Sequence, residues 1–262
     1  MTGALVHRET VDGVATITLD SPANRNALSA QLRRELTGHL EAAIDDDTVR
    51  VLVLTHTGPV FCAGMDLKES QGAGADQQGV NELPHILETI WHSPKPVVAR
   101  LAGPARAGGV GLVAACDLRL AADTCTFAFT EVRLGVVPAI ISVTVLRGVL
   151  PHAAAELFLT GETFDAAHAA AIGLLTRAVP GEALDAEVAR YLGMLTLGGP
   201  SALAGTKALL RRPRPTSLAD DFAAMNAMSA AYFAADEGQE GIRAFREKRR
   251  PSWAVSTGCG SR

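Results

Sequence analysis

Two short glycine-bearing stretches constrain this chain more than anything else in it. One is Phe61-Cys62-Ala63-Gly64-Met65-Asp66-Leu67, which follows an apolar, β-branched run over residues 49–55. The other is Ala107-Gly108-Gly109-Val110-Gly111, which follows a similar run over residues 97–101. A buried strand that ends in small residues and then enters a helix is the repeating unit of a parallel α/β sheet. In such sheets ligands sit beyond the carboxyl ends of the strands. Small residues there leave backbone N–H groups bare and let a ligand approach closely. Two such loops can aim two donors at one oxygen. That is how an oxyanion hole is built, and it suits the enolate of a thioester.

The rest of the pattern agrees with an α/β chain. Residues 4–19 read as a hairpin, with Val14, Thr16 and Thr18 alternating with Ala15, Ile17 and Leu19 and a turn at Asp12-Gly13. Ser29 is placed to cap a helix over residues 30–44, with Leu32, Leu36, Leu40 and Ala43 on one face. Strands are expected over 49–55, 97–101, 117–121 and 126–129, and helices near 80–92 and 109–115. Residues 70–80, rich in Gly, Gln and Ala, read as a mobile loop. Gly198-Gly199-Pro200 and Arg212-Pro213-Arg214-Pro215 punctuate the last third, followed by a helical tail over about residues 216–249. We divide the chain into a core, residues 1–200, and a C-terminal helical region, residues 201–262.

Composition narrows the function classes. A chain of 262 residues, 48% hydrophobic, with a net charge of −4 gives no reason to expect a nucleic-acid partner. No apolar run reaches the ~20 residues of a membrane span, and residues 1–10 lack the apolar core of a signal peptide. The four cysteines, Cys62, Cys116, Cys125 and Cys259, form no C-x-x-C pair and sit at no zinc-ligand spacing, so neither a metal site nor a disulfide framework is expected. Reduced thiols point to the cytoplasm. Cys62 reads as a packing residue rather than a nucleophile. The second glycine loop fails the G-x-G-x-x-G spacing, Gly205-Thr206-Lys207 is no P-loop, and Ser142 lacks a G-x-S-x-G elbow.

Glu131 is the candidate proton carrier. It follows Phe127-Ala128-Phe129-Thr130, and a carboxylate in apolar surroundings has its pKa raised and serves as acid or base. The competing reading is a helix-dipole charge, with Thr130 capping a helix that starts at Glu131. Each glycine loop has its own plain alternative: a turn capped by Asp66, and close helix–strand packing at Gly108 and Gly109.

Taken in order, the motifs resemble the enoyl-CoA hydratase/isomerase (crotonase) family over roughly residues 5 to 253. They are Asn24-Arg25-Asn26-Ala27-Leu28, residues 61–68, residues 107–117, residues 130–138, Leu159-Thr160-Gly161-Glu162, Ile172-Gly173-Leu174 and Phe245-Arg246-Glu247-Lys248-Arg249. The resemblance implies a spiral of ββα units, a C-terminal helical trimerisation region, and assembly as a homotrimer or homohexamer. It implies an acyl-CoA thioester as substrate, with coenzyme A entering as part of that substrate and no separate cofactor. By that match Met65 and Gly108 carry the oxyanion-hole N–H groups. Ala63, Asp66 and Leu67 line the adenine and pantetheine end, Arg25 neighbours the phosphates, and Ala27, Gly64, Lys68 and Gly109 are further substrate-binding positions. Phe245 and Lys248 reach a neighbouring subunit's CoA, or else belong to a solvated helix end with favourably placed cations.

The implied reaction is hydration of a 2-enoyl-CoA, with Glu131 as acid/base. The chain departs from the best-known hydratases at Gly111, where they carry a second glutamate. A single carboxylate also fits a Δ3,Δ2-enoyl-CoA isomerase, and loss of the second leaves room for a non-catalytic acyl-CoA-binding scaffold. Pro138-Ala139-Ile140-Ile141-Ser142 and residues 108–117 resemble hydratases of the methylglutaconyl-CoA type, which take branched, acidic acyl chains. An acidic chain calls for a cation in the pocket, and Arg106 and Arg133 are the candidates.

Overall fold

The structure is a computed structural model that describes residues 3–70, 79–213 and 217–254. Most of the loop expected over residues 70–80 lies outside these, as do Arg214, Pro215 and Cys259.

Nine strands are present among the described residues: β1 (Val6–Val11), β2 (Val14–Leu19), β3 (Val51–His56), β4 (Val97–Leu101), β5 (Ala105–Arg106), β6 (Leu118–Ala122), β7 (Thr126–Ala128), β8 (Phe164–Asp165) and β9 (Arg177–Val179). The helices of the core are α1 (Ala30–Asp45), α2 (Leu67–Ser70), α3 (Leu83–His92), α4 (Gly108–Ala115), α5 (Ala139–Val145), α6 (Pro151–Thr160), α7 (Ala166–Ala171) and α8 (Leu184–Leu197). Three more follow: α9 (Pro200–Arg211), α10 (Leu218–Ala234) and α11 (Asp236–Arg246). The main sheet runs β1-β2-β3-β4-β6-β9. It is parallel except for the β1/β2 hairpin, where Val11 faces Val14.

Burial follows the sequence period. Every residue of β3 is buried, as a central strand covered on both faces requires. β2 buries every second residue, because one face of the hairpin meets the core and the other does not. α1 lays Leu32, Leu36, Leu40 and Ala43 into the core, each fully buried, and each leucine contributes about 1.5–3 kcal/mol. The Ser29 side chain accepts a hydrogen bond from the Leu32 N–H, the N-cap that the sequence requires. α4 contains no polar side chain and is buried on every side, in line with its uniform hydrophobicity.

A second, three-stranded sheet, β5-β7-β8, is not legible in the sequence. β5 and β8 are two residues long, too short to carry a period. The expected continuous tail over residues 216–249 is two helices. Ala235 sits between them with extended backbone (φ −67°, ψ 151°) and turns the chain. α9 is tied to the core, where Lys207 and Arg211 both pair with Asp117 at the start of β6. Arg50, just before β3, binds the carbonyls of Gly198 and Trp253 and fixes the far end of the tail. α10 has no buried residue in this chain, and Phe222 and Phe233 stand mostly exposed on it. No described helix is long and apolar enough to cross a membrane.

Candidate active site

The two glycine loops meet because β3 and β4 are parallel neighbours. Both loops therefore leave the same edge of the sheet, and bridges zip them together. Leu28 pairs with Met65, and Cys62 pairs with Ala105. The Leu28 N–H donates to the Gly64 carbonyl (2.8 Å), and the Arg106 N–H to the Cys62 carbonyl (2.9 Å).

Asn26 holds the first loop from below. It is fully buried, its Oδ1 accepts from the Ser21 N–H, and its Nδ2 donates to the carbonyls of Thr57 and Val60. Its short amide satisfies three backbone groups that would otherwise be stranded. It belongs to the Asn24–Ala27 motif yet carries a positioning role that the motif alone does not reveal. Its left-handed backbone (φ 52°), shared with Arg25 (φ 59°), turns the chain beneath the loop.

Gly64 adopts φ +91°, a conformation that side-chain-bearing residues avoid. A Cβ there would stand 3.1 Å from the Ala107 Cβ, 3.1 Å from the Arg106 carbonyl oxygen and 3.5 Å from the Gly108 nitrogen. The loops are thus in van der Waals contact at Gly64, next to both Met65 and Gly108. Gly108 opens α4, so its N–H has no helical acceptor. Neither this N–H nor that of Met65 finds an acceptor among the described residues.

These two residues form one wall of a cavity of about 450 Å³. Ala63, Leu67 and Ala107 continue that wall. Leu83, Thr130, Glu131, Leu134, Val136, Val137, Pro138, Ile140 and Ile141 line the rest of it. Among the described residues, Glu131 is the only ionisable one in the lining. It lies on a single 310 turn, Glu131–Leu134, and Thr130 makes no side-chain cap. The expected capped helix is therefore absent, and with it the helix-dipole reading of Glu131. Its Oε2 is buried without a hydrogen-bond partner. Burial pushes its pKa above the ordinary carboxylate value, outweighing the lowering by its own backbone N–H.

The remaining expected site residues fall elsewhere. Gly111 lies inside α4 and does not line the cavity. A Cβ on it would come 2.5 Å from the Ile141 Cγ2, so Ile141 fills the space that a side chain at 111 would take. Gly109 is pressed against Cys62 in the same way, since a Cβ on it would stand 2.6 Å from the Cys62 carbonyl oxygen. Asp66 accepts from the Lys68 N–H (3.0 Å) and caps α2, and its other oxygen is 3.5 Å from Asn24 Nδ2. Lys68 is exposed on α2 and Ala27 is buried beneath the loop. Arg25 is exposed, and its carbonyl accepts from the Ala63 N–H (3.1 Å). Phe245 is 86% exposed and Lys248 exposed at the end of α11, and neither lines the cavity of this chain. Cys62 is fully buried with its thiol pKa pushed up to about 12, which suits packing and not nucleophilic attack.

Arg106 and Arg133 do not supply the cation expected for an acidic acyl chain. Arg106 donates to the carbonyls of Ala105 and Thr126, and Arg133 to the carbonyl of Thr160. Leu83, Leu134, Val136 and Val137 are lining residues that the sequence does not single out. Only the apolar stretch around residue 136 signals them.

The packing at Gly111 gives a first prediction. Gly111→Ala drives a methyl into Ile141 and is expected to cost about 1–3 kcal/mol of stability. Adding Ile141→Val, which shortens that neighbour, is expected to recover part of it. Chemical denaturation of the single and double variants measures both.

The comparisons with known proteins agree with this fold. The family model described as enoyl-CoA hydratase/isomerase matches residues 9–256. Human enoyl-CoA hydratase domain-containing protein 3, mitochondrial, is 33% identical over 248 residues, covering 93% of this chain and 82% of that protein. Enoyl-CoA isomerase/hydratase fer4 of Mycosarcoma maydis is 30% identical over 251 residues, covering 91% of this chain and 92% of its own. The crystal structure of an enoyl-CoA hydratase of Mycobacterium smegmatis superposes with a TM-score of 0.88 at 33% identity, covering 95% of this chain and 98% of that one. A match over nearly the whole length, on a fold whose two glycine loops converge beside one buried carboxylate, places this chain in the enoyl-CoA hydratase/isomerase family.

Proposed function

We propose that this chain is an enoyl-CoA hydratase that binds a 2-enoyl-CoA thioester in the 450 Å³ cavity and uses Glu131 as its proton carrier. The observation that carries the reading is one desolvated carboxylate lining the same cavity as two residues whose backbone N–H groups have no acceptor among the described residues. The thioester oxygen accepts from the Met65 and Gly108 N–H groups. Its polarisation makes the β-carbon electrophilic, and negative charge gathers on the oxygen as the enolate forms. Water adds its oxygen to the β-carbon, losing one proton to Glu131, and the α-carbon receives a proton in its place. Every other lining side chain except Thr130 is apolar, so the charge that develops is stabilised chiefly by these fixed donors.

The walls also bear on the acyl group. Among the described residues no Lys, Arg or His lines the cavity, and a second carboxylate on the acyl chain would meet Glu131 without a counter-ion from them. The reading is therefore of a neutral, apolar acyl chain. Ala63 and Leu67 at the mouth accommodate the pantetheine arm, with Arg25 and Lys68 outside it toward the phosphates. The exposed apolar α10 suits the subunit contacts of a homotrimer or homohexamer, in which Phe245 and Lys248 serve a neighbour's CoA.

Isomerisation is the second reading, favoured by one specific observation. Ile141 fills the space beside Gly111, leaving Glu131, among the described residues, as the single ionisable lining group able to carry a proton between the α- and γ-carbons. Incubation with crotonyl-CoA and, separately, with a 3-enoyl-CoA distinguishes the two. Loss of conjugated-enoyl absorbance with the first is the expected result for a hydratase. Its appearance with the second alone assigns the isomerase, and tight binding of both without turnover assigns a scaffold.

A further inference from the structure

A second cavity, of about 350 Å³, lies at the other end of the sheet, where β4 and β6 begin. Its lining includes Arg119, Arg147, Lys207 and Arg211, and Asp117 is the one acidic residue among them. Lys207 and Arg211 both pair with Asp117. That leaves the other two guanidinium groups without a carboxylate. Arg119 is the more informative of them. It is half-buried on β6, its Nε is buried with no hydrogen-bond partner, and the Asp117 carboxylate acts on it only through space. A guanidinium taken partly out of water with a buried N–H left unmatched is costly, and an oxyanion in the cavity would offset that cost.

The cations are also held in place. The guanidinium of Arg211 lies 4.0 Å, and that of Arg147 5.6 Å, from the Trp91 ring centroid, within cation–π range. Gly148 packs on Arg119, since a Cβ there would stand 3.5 Å from the Arg119 Nη1. Arg147 is the preceding residue; its Nε donates to the Val143 carbonyl, and its side chain lines the cavity with that of Arg119. The Thr206 hydroxyl and the indole of Trp91 complete a lining that offers donors and an aromatic face, while the Thr144 hydroxyl donates to the Ile141 carbonyl. The volume admits a small molecule and not a protein segment.

We propose that this cavity binds a small oxyanion, a phosphate ester or a carboxylate, through Arg119 and Arg147 beside Trp91. Planar guanidinium forks suit either group, because each presents paired oxygens to them. The site is independent of the thioester cavity, although α5 carries residues of both: Thr144 here, Ile140 and Ile141 there.

Calorimetric titration of the full-length protein with inorganic phosphate, and separately with malonate, tests the proposal at low ionic strength. Saturable binding is expected, weakened at least tenfold in Arg119→Met and in Arg147→Met and retained in Arg34→Ala, a change at an exposed position of α1. Tighter phosphate binding assigns a phosphate ester as the ligand, and tighter malonate binding a carboxylate. Arg147 is exposed, so its variant keeps the test valid if Arg119→Met fails to fold. Absence of saturable binding to both probes, or binding that survives in Arg147→Met and disappears in Arg34→Ala, overturns it.

Discussion

Glu131→Gln is expected to lower kcat by about 10²–10⁴-fold, the usual worth of a positioned acid/base, with KM little changed. The amide keeps the shape of the side chain and loses only the proton. The same substitution is expected to stabilise the fold. Burial raises the Glu131 pKa above 4.5, its unperturbed value, so the folded state holds the proton more tightly than the unfolded chain. Below pH 4.5 the carboxyl is protonated in both states and costs nothing. As pH rises through 4.5 toward the raised value, the unfolded chain ionises first and stability falls. Glutamine has no such penalty. The Tm of the variant is therefore expected to exceed that of the parent at neutral pH, with the gap closing below about pH 4. Thermal unfolding across this range, beside steady-state kinetics, reads both effects. A variant that loses Tm along with kcat would show Glu131 to be structural.

Gly64→Ala is expected to lower kcat by about 10²–10³-fold, the cost of losing one oxyanion donor in other enzymes. The donors are backbone groups and no side-chain deletion removes them. A methyl at 64 acts instead by shape. At φ +91° it carries a strain of about 1–2 kcal/mol, and it meets the Ala107 Cβ and the Arg106 carbonyl, both at 3.1 Å. Relief moves either the Met65 N–H or the start of α4, and each movement spreads the two donors. Because the donors meet charge that is largest in the transition state, kcat is expected to fall more than KM rises. Gly38→Ala supplies the control. Gly38 is exposed in the interior of α1 with nothing within 4 Å of its Cβ position. Alanine there is expected to add about 0.8–1.0 kcal/mol of stability and leave kinetics unchanged.

The two substitutions differ in how far the sequence anticipates them. Gly64 stands out because a glycine just after a buried strand announces a backbone that other residues cannot adopt. Glu131 stands out only as a carboxylate among apolar neighbours, and two readings of it compete. The capped helix that would have made it a dipole charge is absent, and its environment is set by Val136, Val137, Ile140 and Leu83. No local pattern joins Leu83 to the other three or turns any of them toward Glu131. Gly111 is the sharper case. Its identity is plain in the sequence, but the side chain that takes its place is Ile141, on a different helix. Arg106 and Arg133 fail as pocket cations for a comparable reason. Backbone carbonyls at residues 126 and 160 claim their guanidinium groups. Likewise β5 and β8 pair through contacts distant in the chain and leave no period to read.

Periodicity, capping and glycine placement act within a few residues of one another, so the sequence by itself determined the hairpin, α1, the strands that lead into the loops, and the two bare N–H positions. Convergence of those N–H groups on one cavity, burial of Glu131, and the filling of the space beside Gly111 are relations between segments brought together by the parallel sheet. Desolvation and steric exclusion depend on every neighbour in three dimensions, and for that reason only the tertiary structure decided them.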